Sequence, residues 1–357
     1  MSRPNAVQTE LELKVDCDIH CAAPDTAALA QYLPRHWQEF VGFGGFKFRE
    51  ALDHCYPPIL DGNPEETRVE QVKQLFLSRA DVAHAILNCY MGLEALQNRD
   101  LAVSLASATN QWLADRWLSD EAEGSKLRAS VVIATQDPGE AAIEIRKWAM
   151  RKGELGFVQV LLPVHSEVPY GKRQYFPIYD AAAECGFPIG LHFGGLTVTA
   201  PTSSGWPSLY IDEYIGMSQI FQSQVLSLIA EGVFERFPDL KVVLLESGFT
   251  WLPALMWRLD KEWKGFRREV PWVRELPSTY IRRHFRATVQ PVDAPPDDLA
   301  QLRRVVDQIG SGSLLMFSSD YPHNYGPDEG VNLLLSVLSD AQRRDVLMNN
   351  ARDLYRL

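Results

Sequence analysis

The sequence predicts an α/β fold, a closed (β/α)8 TIM barrel with a long N-terminal lid inserted after strand 1. Three observations lead there. Eight short apolar runs recur along the 357 residues, at about 14–20, 82–88, 127–134, 157–164, 188–193, 241–247, 285–290 and 314–320. Segments with helical spacing separate most of them. The runs are continuous rather than alternating, as in "VVIA" at 131–134, "VLLPV" at 160–164 and "KVVLL" at 241–245. Strands that read this way are covered on both faces, which is the condition of a parallel sheet. Eight strand–helix units point to a closed barrel rather than an open doubly wound sheet. No GxGxxG follows the first run, which removes the main support for a dinucleotide-binding fold.

The elements follow in order. The lead-in "LELKV" opens strand one, which continues as "DCDIHC". Residues 24–64 are irregular and aromatic-rich ("HWQEFVGFGGFKFRE", "DHCYPPILDGNP"), too long for an ordinary connection, and predict a lid. Trp37, Phe43, Phe46, Phe48 and Tyr56 there suit an aromatic or acyl group beneath the lid, and suit ordinary packing on the barrel equally. Helical patterns are expected at about 66–79, 100–118, 137–152, 175–186, 214–237, 251–264 and 297–310, with closing helices through "NNARDLYRL". A Pro-bounded stretch at 265–284 reads as a second insertion. With no repeat of solenoid length and no low-complexity tail, residues 1–357 read as a single domain.

Composition bounds the function. Apolar residues at 46% and charged residues at 23% allow a large core and do not indicate disorder. A net charge of −11 argues against nucleic acid or an anionic membrane as partner. The five cysteines (Cys17, Cys21, Cys55, Cys89, Cys185) are odd in number and form no CxxC pair, as expected of reduced thiols. "MSRPNAVQTE" lacks the apolar stretch of a signal peptide, and no run approaches the ~18 apolar residues of a membrane span. A cytoplasmic protein is expected. The tryptophan-rich helix "WLPALMWRLDKEWKGF" has the spacing to pack on a barrel, and a homodimer interface is its second reading.

Polar residues close the runs. Asp18 and His20 close strand one, with Asp16 two positions earlier. His165 follows strand four, His192 lies on strand five and Glu246 ends strand six. Gln290 ends strand seven, and Asp320 with His323 follows strand eight. Chemistry in such barrels sits at the carboxyl ends of strands. Any one of these residues has an ordinary use: Asp320 as a cap or turn residue, Glu246 as an arginine partner, a histidine as a hydrogen-bonded core group. Gathered at one mouth they would leave unpaired charge at a partly dry site unless a cation joined them. A mixed carboxylate and imidazole set suits zinc, manganese or iron, and the lack of cysteine argues against a thiolate site.

These residues resemble a family. "DCDIH", "YFPIYDAAAECGFPIGLHFGG", "FPDLKVVLLESGFTWLPALMWRLDKEW", "MFSSDYPH" and "NNARDLY" together resemble the amidohydrolase superfamily, in the branch that holds the aminocarboxymuconate-semialdehyde decarboxylase-like enzymes. The resemblance implies a metal set of Asp18, His20, His192 and Asp320, with Asp16 orienting His20 or a neighbouring backbone group. Glu246 departs from it, because many members carry histidine there. As a ligand, Glu246 makes five donors, enough for two ions. As a general base it would serve a metal-activated water, whose pKa falls from near 16 toward about 7. The expected function is therefore a metal-dependent hydrolase of an amide, ester, lactone or thioester of an organic acid derivative, with Glu246 and Asp320 as catalytic groups and one or two divalent ions. The alternative is non-oxidative decarboxylation of an aromatic or unsaturated acid, with His165 or His323 as proton donor. His165, His323 and Arg173 are the candidate substrate contacts, with Lys172, Arg282 and Arg283 as further anion contacts. A small-molecule substrate is implied. A non-catalytic binding barrel is the third reading, and five matching donors count against it.

Overall fold

The computed structural model of the chain describes residues 12–21, 24, 26–42, 69–119, 126–151, 156–195, 200, 202–294, 298–323 and 329–357. Eight strands form one sheet: Lys14–His20 (β1), Val82–Asn88 (β2), Leu127–Val132 (β3), Phe157–Pro163 (β4), Ile189–His192 (β5), Val242–Leu245 (β6), Phe285–Thr288 (β7) and Leu315–Met316 (β8). They lie in sequence order, and every neighbouring pair from β1–β2 to β7–β8 is parallel. β8 is only two residues long, so the segment after it closes the barrel. The Cys17 N–H donates to Phe317 O (3.0 Å), the Asp320 N–H to Asp18 O (3.0 Å) and the His20 N–H to Tyr321 O (2.7 Å). The closure therefore runs through the residues that carry the candidate site.

Side-chain alternation sorts the strands into two layers. On β4, Val160 and Leu162, followed by Val164, pack outward into the main core beneath the helices. Gln159 and Leu161 face the interior, where Leu161 meets Val15, Cys17, Ile86, Val243, Leu245 and Met316. The C-terminal helix Asn350–Tyr355 adds Ala351 and Tyr355 to that inner cluster. It covers the end where the strands begin, since Asn350 and Leu354 share a cavity with Pro188, Lys241 and Ser313, which precede β5, β6 and β8. The opposite end is left for chemistry.

β1 departs from the simple period-two reading. Its pairing with β2 shifts register between Asp16 and Ile19. That irregularity admits Cys17 to the inner cluster. Asp16 instead accepts the N–H groups of Ser319 (2.8 Å) and Asp18 (3.5 Å) through Oδ1.

Helices at Val69–Ser78, Arg99–Arg116, Pro138–Ala149, Phe176–Cys185, Tyr210–Ala230, Leu252–Phe266 and Leu299–Ile309 alternate with the strands. The helix expected over 214–237 is broken at Gly232, which adopts φ 77° before a short helix at Val233–Arg236. Only glycine suits that turn: a Cβ there would lie 2.5 Å from Trp272, whose indole N–H donates to Ala230 O at 2.7 Å. Residues 265–284 hold the end of Leu252–Phe266, this Trp272 turn and the helix Pro277–His284, which feeds straight into β7. Of the expected lid, Thr26–Ala30 and Arg35–Gly42 are helical, and Trp37 packs against the core. Residues 43–64, with Phe43, Phe46, Phe48 and Tyr56, lie outside the described residues. Among the described residues no helix is long and apolar enough to cross a membrane, and Cys17, Cys21, Cys89 and Cys185 are free thiols.

His284 makes part of this fold pH-sensitive. Its ring stacks on Phe234 (centroids 4.4 Å apart) and its Nδ1 meets Leu240 O at 2.9 Å. Burial pushes it down to about 4 from the ordinary 6.5. The unfolded chain thus binds this proton more tightly than the folded one. Stability is fully present above pH 6.5 and is lost as pH falls toward 4, by at most about 1.4 kcal/mol per pH unit for one group. Urea midpoints at pH 7 and pH 5 should differ in that direction, and less so in His284→Asn.

Candidate active site

Six ionisable residues meet where the strands end. The His20 imidazole Nε2 lies 2.7 Å from Asp320 Oδ1 and 4.0 Å from Asp18 Oδ1. His192 Nε2 lies 3.4 Å from Asp18 Oδ1, and His323 Nδ1 lies 3.2 Å from Asp320 Oδ2. The donor atoms of Asp18, His20 and His192 fall within 4.8 Å of one another, as do those of His20, Glu246, Asp320 and His323. Asp18, His192 and Asp320 are fully buried, and Glu246 and His20 nearly so.

Local backbone sets this convergence. β5 places His192, and its Nδ1–H donates to Phe193 O at 2.6 Å. That bond fixes the ring orientation and turns Nε2 toward Asp18, 3.4 Å away. Glu246 and Asp320 end β6 and close the barrel after β8 in left-handed backbone, with φ 58° and 56°. Such angles are unfavourable outside glycine and persist where surrounding bonds hold them. The Glu246 N–H donates to Thr288 Oγ1 (3.0 Å), and the His323 N–H closes a turn onto Asp320 O (2.9 Å).

The electrostatics follow from burial and proximity. Burial depresses His192, but Asp18 outweighs it and raises the imidazole above its ordinary value. Burial and the neighbouring His323 lower His20, against the pull of Asp320. Burial would raise Asp320, yet His323 and His20 together hold it below the usual carboxylate range. Burial pushes Asp16 up to about 7 despite its bond from Ser319.

The residues fit a cation. Asp18 Oδ2 is buried with no hydrogen-bond partner among the described residues, while Oδ1 is occupied by Asn88 Nδ2 at 2.7 Å. A carboxylate oxygen left this way is costly, and a bound cation removes the cost. His192 Nε2 and His20 Nε2 approach the same carboxylate at Oδ1, 3.4 and 4.0 Å away, and with it make a donor set of the kind divalent transition metals take.

The other predicted residues fall in different places. His165 follows β4 and is buried, with its Nε2 lacking a partner among the described residues; burial lowers it to about 4, so it is neutral at pH 7. By alternation it continues the inward series of Gln159 and Leu161. Gly195, at φ 122°, makes room for it, since a Cβ there would sit 2.5 Å from His165 Cβ. Arg173 is exposed in the turn Arg173–Tyr175, and its guanidinium makes no hydrogen bond or ion pair among the described residues. Lys172 pairs with Glu231 (2.6 Å), Arg283 with Glu275 (2.8 Å), and Arg282 donates to Ile309 O (2.9 Å), so these three are engaged away from the cluster. Sequence reasoning missed Asn88. The available signal was an asparagine closing the apolar run "AILN", in the same strand-end position as the chosen residues.

A barrel with this donor set at its mouth defines an amidohydrolase-type enzyme. The chain belongs to the amidohydrolase family, whose model matches residues 15–357. It is 25% identical over 281 residues to the gamma-resorcylate decarboxylase of Rhodococcus jostii (strain RHA1), covering 74% of this chain and 80% of that one. Its fold is similar to the dihydroxybenzoic acid decarboxylase from Polaromonas sp. JS666 with bound manganese and 2-nitroresorcinol (22% identity, TM-score 0.65, 97% of both chains). It is likewise similar to the 5-carboxyvanillate decarboxylase from Novosphingobium aromaticivorans DSM 12444 complexed with manganese and 4-hydroxy-3-methoxy-5-nitrobenzoic acid (20% identity, TM-score 0.68, 97% and 96% of the two chains).

These relatives correct the hydrolase expectation. They are named as decarboxylases, so cleavage of an amide, ester, lactone or thioester by activated water is not the reading the chain supports. The physical reason for the error is that a cation held by carboxylates and imidazoles polarises a bound oxygen in either chemistry. Glu246, as a ligand or as a base for metal-activated water, pointed to hydrolysis, and a carboxylate at that place does not by itself select that chemistry.

Proposed function

We propose that the protein is a metal-dependent, non-oxidative decarboxylase of an aromatic carboxylic acid with a hydroxyl beside the carboxylate. The observation that carries this reading is the pairing of a buried cation-type donor set with a proton-carrying pair, Asp320 and His323, at its edge. The named activities of the relatives support it, and their bound manganese supports that metal.

Asp18, His20, His192 and Asp320 would hold the cation. When bound, it would supply positive charge that holds the acid end of the substrate and lowers the pKa of the neighbouring hydroxyl, whose oxygen then donates electron density to the ring. The residues of this chain do the rest. Asp320 and His323 carry one proton between them and deliver it to the ring carbon that bears the carboxylate. The bond to the carboxylate then breaks, its electron pair restores the aromatic ring, and CO2 leaves. One proton is consumed per turnover and returns from solvent by way of His323. Glu246 accepts a hydrogen bond from a substrate hydroxyl, and neutral His165 meets a ring substituent from the β4 side. Burial of the cluster keeps water from competing for the proton.

Manganese-loaded protein should release CO2 from members of a panel of 2,6-dihydroxybenzoate, 2-hydroxybenzoate and 5-carboxyvanillate. In D2O the product should carry deuterium at the former carboxylate position. No CO2 from any of the three would overturn the proposal.

A further inference from the structure

Below the cluster, a line of buried polar side chains runs through the barrel interior to the C-terminal helix. Asn88 Nδ2 donates to Asp18 Oδ1 (2.7 Å). Asn88 Oδ1 accepts from Ser130 Oγ (2.6 Å) and from Gln159 Nε2 (3.1 Å), and Gln159 Nε2 also donates to Ser130 Oγ (2.8 Å). Gln159 Oε1 in turn accepts from the Tyr355 hydroxyl (3.1 Å). All five residues are at most 1% exposed. Polar groups in an otherwise apolar barrel are costly unless each is satisfied, and this line satisfies its members in series.

Its direction is forced. A carboxylate at Asp18 only accepts, so the Asn88 amide must present NH2 to it and its carbonyl downward. That carbonyl requires a donor, which fixes the Gln159 amide with NH2 upward. The Gln159 carbonyl then faces down and receives the tyrosine O–H. Every amide therefore points its donor toward Asp18. Gly190 on β5 preserves the space: a Cβ there would lie 3.1 Å from Gln159 Oε1 and 2.9 Å from Leu245 Cδ1.

We propose that Asn88 is a positioning residue for the cation site, and that Ser130, Gln159 and Tyr355 align it. By donating to Oδ1, the line holds the Asp18 carboxylate in one rotamer, with Oδ1 facing His192 Nε2 at 3.4 Å and Oδ2 without a hydrogen bond among the described residues, and so presents the carboxylate to the cation. The inference rests on Asp18 being a cation ligand, and the C-terminal helix gains a role at the far end of the barrel from the chemistry.

Manganese affinity, read by competition with a fluorescent chelator on the full chain, tests it without reference to turnover. Asn88→Leu keeps the branched shape and removes the amide's donor and acceptor; it should weaken manganese binding about 10- to 100-fold. Tyr355→Phe deletes one oxygen and keeps the ring; it should weaken binding about 2- to 10-fold. The double variant should bind no more weakly than Asn88→Leu alone, because both act through one line. Circular dichroism of each metal-free variant identifies folding losses, and if Asn88→Leu does not fold, Tyr355→Phe decides alone. Wild-type affinity in Tyr355→Phe, or an additive double variant, overturns the proposal. A wild-type protein that binds no manganese instead overturns the cation site, and this inference with it.

Discussion

Asp320→Asn is expected to lower the rate of CO2 release by about 10²- to 10⁴-fold, the usual loss when a positioned acid–base group is removed. The change is nearly isosteric. An asparagine carbonyl still meets His20 Nε2, now 2.7 Å from Asp320 Oδ1, and the turn closed by the His323 N–H survives because it uses the backbone. What disappears is the capacity to take a proton at Oδ2, 3.2 Å from His323, and pass it on. Asp320 is also assigned to the cation, so manganese content must be measured beside the rate. Asp18, His20 and His192 remain, and partial occupancy is the expected result. Two readouts then separate the roles. If occupancy is restored at high manganese while the rate stays low, proton transfer is what was lost. A rate within ten-fold of wild type at full occupancy would remove Asp320 from the proton path.

The strand positions were legible because burial on both sides leaves a strong mark. Runs such as "VQVLLPV" admit few polar residues, and their positions fall within a few residues of β1 to β8. Two features escaped. The irregularity between Asp16 and Ile19 has no signature in "DCDIH", because cysteine is compatible with either side of a strand. The break at Gly232 was present as "EGV" inside an apolar helical pattern, but glycine within a helix is tolerated often enough that the glycine alone does not stop it.

The convergence of the candidate residues was legible, and the chemistry was not. Asp18, His20, His192, Glu246, Asp320 and His323 converge because each follows an apolar run, and a barrel brings all its strand ends to one mouth. Arg173 failed that test, since it lies ten residues beyond the end of β4 on an exposed turn. Asn88 and Gln159 were visible as polar residues in apolar strands, yet of the strand amides only Gln290 was singled out, because an uncharged group inside a run carries no unpaired charge to explain. The choice between water attack and CO2 loss depends on the substrate, and a chain records its ligands for a cation more plainly than the molecule that the cation polarises.

Stripping the cation should abolish activity and also weaken the fold. Without it, Asp18 Oδ2 is left buried with no hydrogen-bond donor among the described residues, and Asp18, Glu246 and Asp320 place three carboxylates in one nearly dry volume. The imidazoles of His20, His192 and His323 offset part of this charge, which allows the apo protein to fold. They do not satisfy Oδ2. A ligand that binds only the folded state adds RT ln(1 + [L]/Kd), about 2.7 kcal/mol at a hundred-fold excess over Kd. Prolonged dialysis against EDTA should therefore lower the thermal midpoint by several degrees and reduce CO2 release to background. Returning manganese should restore both, and the midpoint should climb with the logarithm of manganese concentration once the site is saturated. In Asp18→Asn the same titration should move the midpoint far less, because an amide is a weaker donor and the cation's strongest anionic partner at β1 is gone. A metal-free protein with full activity would exclude the mechanism, whereas an unchanged midpoint with metal-dependent activity would mean that the imidazoles alone balance the buried carboxylates.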